Sequence, residues 1–206
     1  MLPIWMIIAL PLAALYAAFL IWYGGNGKPM TTNEISAGLR ELQATDTSEH
    51  GTAAVEDVRQ LLASDDGKEF VMQNLVRYRP KALYPQGYHY SDDPREADKR
   101  YGKSIIWPLL RNGNLLLFIA RRSGNFFVPE GADDWHYVAM VRYRSRRDFL
   151  KFAFEANRAD KFVHKWAAIE KTHVFPVKPI VSLFSVRLTT GLFLLSLGLI
   201  LHSALT

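Results

Sequence analysis

The chain has 206 residues and a formal net charge of +5, enough for one domain plus flanking segments. It contains no cysteine, which excludes a disulfide framework, a thiolate nucleophile and any cysteine-based metal site. All 25 Lys and Arg lie between Lys28 and Arg187, and all 20 Asp and Glu between Glu34 and Glu170, so neither end carries a charged side chain.

Residues 1–23 run without a charge and would reach roughly 30 Å as a helix, enough to cross a bilayer core. Trp5 sits near one end and Trp22 and Tyr23 at the other, where interfacial anchors belong. The segment lacks the basic start of a signal peptide, and bulky Ile21, Trp22 and Tyr23 stand where cleavage would fall. Residues 24–68 read as a hinge followed by a short helical linker. Gly24-Gly25-Asn26-Gly27-Lys28-Pro29 lacks phosphate-loop spacing and has no preceding strand. Thr31 and Glu34 fit a capping box, followed by Ile35, Leu39 and Leu42 at helical spacing. A second helix is expected from Ala53 to Ala63, with Val55, Val58, Leu61 and Leu62 on one face. Asp65-Asp66-Gly67 marks a turn.

Residues 69–179 form the expected soluble domain. Phe70 to Arg79 is a strand stopped by Pro80. Asp93 can cap a helix that has Pro94 at its first position, carries Tyr101, Ile105, Leu109 and Leu110, and ends at Asn112-Gly113. Asn114 to Arg122 and Trp135 to Arg144 are further strands. Ser145 and Asp148 form a second capping box, opening a helix whose stripe is Phe149, Phe152, Ala153, Ala156, Val163, Trp166 and Ala167, with a break near Asn157. Thr172 to Lys178 is the fourth strand. The order β-α-β-β-α-β predicts an α+β domain of the ferredoxin-like, split β-α-β kind. Residues 180–206 form a second apolar segment interrupted only by Arg187, which can snorkel towards headgroups.

Val76-Arg77-Tyr78-Arg79 recurs as Val141-Arg142-Tyr143-Arg144. Alternation puts Asn74, Val76, Tyr78, Ala139, Val141 and Tyr143 on the face that helices should cover. Gln73, Leu75, Arg77, Met140, Arg142 and Arg144 fall on the other, leaving an open face that is half apolar and half cationic. Such a face needs a partner or ligand.

From about Glu69 to Pro179 the sequence resembles the dimeric α/β-barrel superfamily, and within it the domain-of-unknown-function family numbered thirteen-thirty. The resemblance rests on residues 71–78, Tyr101-Gly102, residues 109–113, residues 141–146 with Phe149, and residues 164–168. It implies two domains pairing sheet to sheet as a homodimer. The superfamily includes monooxygenases, isomerases, haem enzymes and non-catalytic modules, so the resemblance does not choose a function. Arg142 and Arg144 stand where that family commonly has an acidic residue and a proline.

No His pair has metal-ligand spacing, and no metal or cofactor is expected, although His164 or His173 could ligate haem or act as a base. The candidate ligand cleft comprises Asn74, Arg77, Tyr101, Arg142 and His173. Arg144, Arg146, Arg147 and Lys151 are candidates for contact with anionic headgroups rather than nucleic acid, because acidic residues are plentiful and the domain is tethered. Flanking Lys28, Lys171, Lys178 and Arg187 place the domain in the cytoplasm and both termini outside, in a bacterial inner membrane. Small-residue stripes, Ala9-Ala13-Ala17 and Gly191-Gly198, suggest that the two spans pack together. Three functions compete: a membrane-anchored dimeric interaction module or accessory subunit of a larger membrane complex, a cofactor-poor enzyme for a small anionic or aromatic compound, and a ligand or haem sensor. A pocket meeting Asn74, Arg77, Tyr101 or His173 would favour the second. No constellation of residues decides whether the protein is catalytic.

Overall fold

A computed structural model describes residues 2–45, 51–182 and 185–206, so Met1 and two positions of the second apolar run lie outside the described residues. The chain divides into two compact units, Met1–Gly25 with Pro179–Thr206, and Asn26–Lys178.

The first unit is a pair of helices, α1 (Ile4–Gly24) and α7 (Val186–Leu205), each long and apolar enough to cross a membrane. Between their ends in the sequence come α2 (Thr32–Thr45), α3 (Gly51–Ala63), β1 (Phe70–Tyr78), α4 (Pro94–Arg111), β2 (Leu115–Arg121), β3 (Tyr137–Tyr143), α5 (Arg146–Ala156), α6 (Ala159–Ala168) and β4 (Ile169–Val177). Gly191 and Gly198 of α7 do face α1, but their neighbours are Tyr16 and Leu12 rather than the alanine stripe. Ala9 and Ala13 instead line an apolar cleft of about 370 Å³ between the two helices. The Tyr16 hydroxyl donates to the Arg187 carbonyl at 3.1 Å, and the Arg187 guanidinium lies 4.6 Å from the centre of the Tyr23 ring.

In the second unit the local signals act as their chemistry requires. The Thr31 N–H donates to Glu34 Oε2 at 2.7 Å and the Glu34 N–H to Thr31 Oγ1 at 3.2 Å, so the capping box satisfies two donors at the start of α2. Asp93 accepts from the Arg95 N–H, with Pro94 leading α4. Gly113 closes that helix at φ +72°, and an added Cβ would meet the Arg144 side chain at 2.8 Å. The expected break at Asn157 separates α5 from α6.

The four strands form one antiparallel sheet in the order β2-β3-β1-β4. β1 and β2 are joined by α4 and run parallel, with β3 inserted between them. Register pairs Phe70 with Tyr143, Met72 with Val141, Asn74 with Ala139 and Val76 with Tyr137. Paired residues share a face, and this face is the one the helices cover. Phe70, Met72 and Tyr143 pack with Leu61, Leu109, Phe152 and Ala156, while Val76 packs with Ala97, Ala167 and Ala168.

The larger departures from expectation are at β4 and at the linker, while the other strands differ by one or two residues at their ends. Strand β4 begins at Ile169, three residues early, because Glu170 and Lys171 lie on an edge strand where polar side chains can stay in water and meet partners. The helices expected as a linker belong to the compact unit. Leu39, Leu42, Val55 and Leu62 are buried together with Leu150 of α5, and burial of each such side chain is worth about 1.5–3 kcal/mol. Gly38 of α2 lies against the Leu150 side chain, which an added Cβ would force to shift.

Candidate functional site

A cavity of about 690 Å³ lies between the helix-covered face of the sheet and the helices. Met72, Asn74 and Tyr143 form its floor. Phe149, Phe152, Ala153 and Ala156 of α5 form one wall, Tyr101 of α4 and Lys165 of α6 another, and Leu61 and Ser64 at the end of α3 complete it. Two side chains of the expected cleft, Asn74 and Tyr101, therefore meet here. His173 borders the cavity at the sheet edge, but its ring packs with Phe175 and Trp135, at centroid distances of 4.9 and 6.5 Å.

Arg77 and Arg142 are not part of this cavity. Strand alternation sends both to the opposite face, where they serve the fold. Arg77 pairs with Glu170 at 3.2 Å and with Asp133 at 3.7 Å. Arg142 is only 2% exposed, and its guanidinium donates to Glu69 at 3.0 Å and to the Gly113 carbonyl at 2.9 Å. The expected headgroup contacts are largely engaged as well. Arg144 forms a two-pronged pair with Asp148, and Arg146, 5% exposed, reaches the Leu61 carbonyl, Ser64 and Asp66. Arg147 ties the Glu34 carboxylate to the Lys28 and Pro29 carbonyls. Lys151 alone of the four has a largely exposed side chain. Their density along the sequence reflects how α5 holds the preceding segments in place.

The cavity's electrostatics centre on Lys165. Its ammonium sits 5.1 Å from the Trp166 ring, 5.9 Å from Tyr101 and 6.0 Å from Phe162. Among the described residues it has no hydrogen bond and no carboxylate at ion-pair distance. Burial pushes its affinity for a proton down from the ordinary lysine value, against the opposing pull of Asp98. Asp98, one turn before Tyr101 on α4, accepts from the Tyr78 hydroxyl at 2.8 Å and the Tyr137 hydroxyl at 3.3 Å. Burial raises its carboxyl above the usual range, although both hydroxyls oppose the shift. Burial, reinforced by Asp98, also pushes the Tyr101 phenol up, so it remains a neutral donor. The Asn74 amide donates to the Met72 and Ala139 carbonyls, which leaves its own carbonyl oxygen free of partners among the described residues. A cation, neutral hydroxyls and an amide oxygen thus line a mostly apolar hollow, a combination suited to a small organic molecule with one polar end.

Two solved structures resemble the chain. One is the crystal structure of the RPA0582 protein from Rhodopseudomonas palustris, described as a protein of unknown function. It is 24% identical, with a TM-score of 0.54, and the match covers 67% of this chain and 98% of that one. The other is the methylated RPA0582 protein, 25% identical with a TM-score of 0.54, matched over 66% of this chain and 95% of that one. No family model and no curated protein matches. The comparisons therefore support the fold and are silent on activity.

Sequence reasoning missed Lys165 and Asp98. Lys165 lies three residues after Phe162 and three before Ala168, on a stripe facing inward, where a lysine is unusual. Asp98 falls one turn before Tyr101 at the same spacing. His164 does not reach the cavity floor: its Nδ1 pairs with the Tyr84 hydroxyl at 2.9 Å, and its ring packs against Tyr90.

Proposed function

We propose that this protein is a membrane-anchored binder of a small, largely apolar organic anion, held in the cavity between sheet and helices. One observation carries this: the cavity contains an ammonium, Lys165, that has no hydrogen bond and no ion-pair partner among the described residues. A carboxylate or enolate would supply the missing charge, and the surrounding rings and Met72 would bury an aromatic body. A mostly apolar cavity with a cation, hydroxyls and an amide in its lining favours this over a purely structural accessory subunit. A suitable probe is 2-naphthoate, titrated by calorimetry into the full chain in nonionic detergent against a detergent blank. Saturable one-to-one binding is expected, and Ala153→Trp should abolish it by filling the wall. Equal heats in both proteins would contradict the proposal.

The strand order β2-β3-β1-β4, combined with β-α-β-β-α-β connectivity, supports the ferredoxin-like arrangement of the dimeric α/β-barrel superfamily, and with it the likeness to family thirteen-thirty. The sheet's uncovered face supports a homodimer. Register places Met140 between Gln73 and Phe118, and Val138 between Leu75 and Ala120, so an apolar strip crosses it. Leaving that strip in water costs about 25 cal/mol per Å². Met140→Asp should shift the full chain in detergent from dimer to monomer, as measured by light scattering. A wild-type monomer at micromolar concentration would overturn the pairing.

The two apolar helices anchor the domain in a lipid bilayer, and the lysines beside them favour a cytoplasmic domain. A reporter fused after Thr206 should then be active outside the cytoplasm. Cytoplasmic activity would reverse the orientation.

A further inference from the structure

The cavity also brings together the requirements of a carbonyl-capturing amine. We infer that it accepts small apolar aldehydes or ketones, and that Lys165 Nζ condenses with their carbonyl carbon. The inference rests on the same cavity as the proposed ligand site and adds a reaction to it.

Three observations carry it. Lys165 is the lysine that lines the cavity, and its Nζ lies beside the rings of Trp166, Tyr101 and Phe162, with no carboxylate at ion-pair distance among the described residues. A surface lysine is held as a hydrated ammonium, whereas a lysine in an apolar enclosure more readily becomes the free amine that has a lone pair to donate. Tyr101 lines the same wall as a hydroxyl donor, and Asp98 lies behind it, held by the Tyr78 and Tyr137 hydroxyls. The direction of the Lys165 proton affinity, lowered by burial, agrees with this geometry.

In the step itself, the Nζ lone pair attacks the carbonyl carbon, and the C–O π electrons move to oxygen, which takes a proton from a hydroxyl or from water. The nitrogen then loses a proton, giving a neutral carbinolamine. Expulsion of its hydroxyl as water, assisted by a second proton, leaves a protonated C=N bond, which gives that proton back to water to become the imine. The amine and the carbonyl compound give an imine and one water, with no oxidant or reductant.

The test uses the full chain in nonionic detergent, with benzaldehyde as probe and cyanoborohydride to reduce any imine to a stable benzylamine. Peptide mass spectrometry then reads which lysines carry one benzyl group. Lys165 should be modified at least about tenfold faster than any exposed lysine, because burial favours its free amine. Excess 2-naphthoate should slow Lys165 and leave the others unchanged, a control that needs no mutant to fold. In Lys165→Arg the fast adduct should vanish. Modification spread evenly over the lysines, with Lys165 no faster than the rest, would overturn the inference. If naphthoate still binds in that case, the ligand site stands and only the carbonyl chemistry fails. If Lys165 reacts fast but naphthoate neither binds nor protects, the chemistry stands and the anion preference fails.

Discussion

Lys165→Met is expected to raise the stability of the protein by about 0.5–2 kcal/mol while weakening 2-naphthoate by about 10- to 100-fold. The two effects have one origin. A lysine whose proton affinity is lowered by burial costs the fold free energy whenever it is charged. Methionine has a similar reach and no charge, and the Trp166, Tyr101 and Phe162 rings can pack against it. The pH dependence follows from the same shift. The unfolded lysine holds its proton up to its ordinary value of 10.5, while the folded one releases it earlier. Between those two points the unfolded state binds more protons, so wild-type stability should rise with pH there. The variant should lack that rise. Thermal melts of both proteins across the alkaline range check the sign, and a variant less stable than wild type would show that Lys165 is structural.

Asp148→Ala is expected to have the opposite result, a loss of about 3 kcal/mol and a fall in melting temperature of about 6–12 °C. Asp148 is 5% exposed. Its carboxylate accepts from Arg144 Nε at 2.7 Å, from Arg144 Nη2 at 2.9 Å and from the Ser145 hydroxyl at 2.8 Å. Its own N–H completes the capping box by donating to Ser145 Oγ at 3.1 Å. Alanine would strand a partly buried guanidinium and the hydroxyl, and the end of α5 would lose its acidic residue. Burial alone would raise the Asp148 carboxyl, but Arg144 and Ser145 outweigh it and hold it below its ordinary 3.8. A depressed carboxyl stabilises the fold above pH 3.8 and loses that contribution as pH falls through its folded value. Wild type should therefore weaken steeply in acid, and Asp148→Ala should start lower and fall less. Chemical denaturation at neutral pH and below pH 4 measures both. An unchanged midpoint would mean that the Arg144–Asp148 pair contributes nothing.

Much of this architecture was legible because short-range chemistry and tertiary packing agree. Thr31 with Glu34, Asp93 with Pro94 and Ser145 with Asp148 each mark a helix start, and each forms the bonds its residue types predict. Strand alternation separates Asn74 from Arg77 and Tyr143 from Arg142 correctly, because one face had to meet the helices. The cleft was less legible. Grouping Asn74 with Arg77 and Arg142 joined residues that alternation itself holds on opposite faces. Arg142 resembles a ligand-gripping cation in sequence, and only the fold brings Glu69 and the Gly113 carbonyl to it. Lys165 fails in the other direction. A charged residue on a short helix is ordinarily at the surface, and nothing local announces that Phe162 and Ala168 turn this one inward. The helices over 32–63 carried the right apolar pattern, but their partner, Leu150, lies about ninety residues further on, beyond any local signal.

The central claim is that the ligand sits between sheet and helices. Methionine methyl groups report on it directly, since Met72 lines the cavity and Met140 lies on the opposite face of the sheet. In the full chain with carbon-13-labelled methionine methyls, saturating 2-naphthoate should give nuclear Overhauser contacts to the Met72 methyl and none to Met140. Contacts to Met140 or to Met6 of the first apolar helix, without any to Met72, would place the ligand elsewhere and contradict the account.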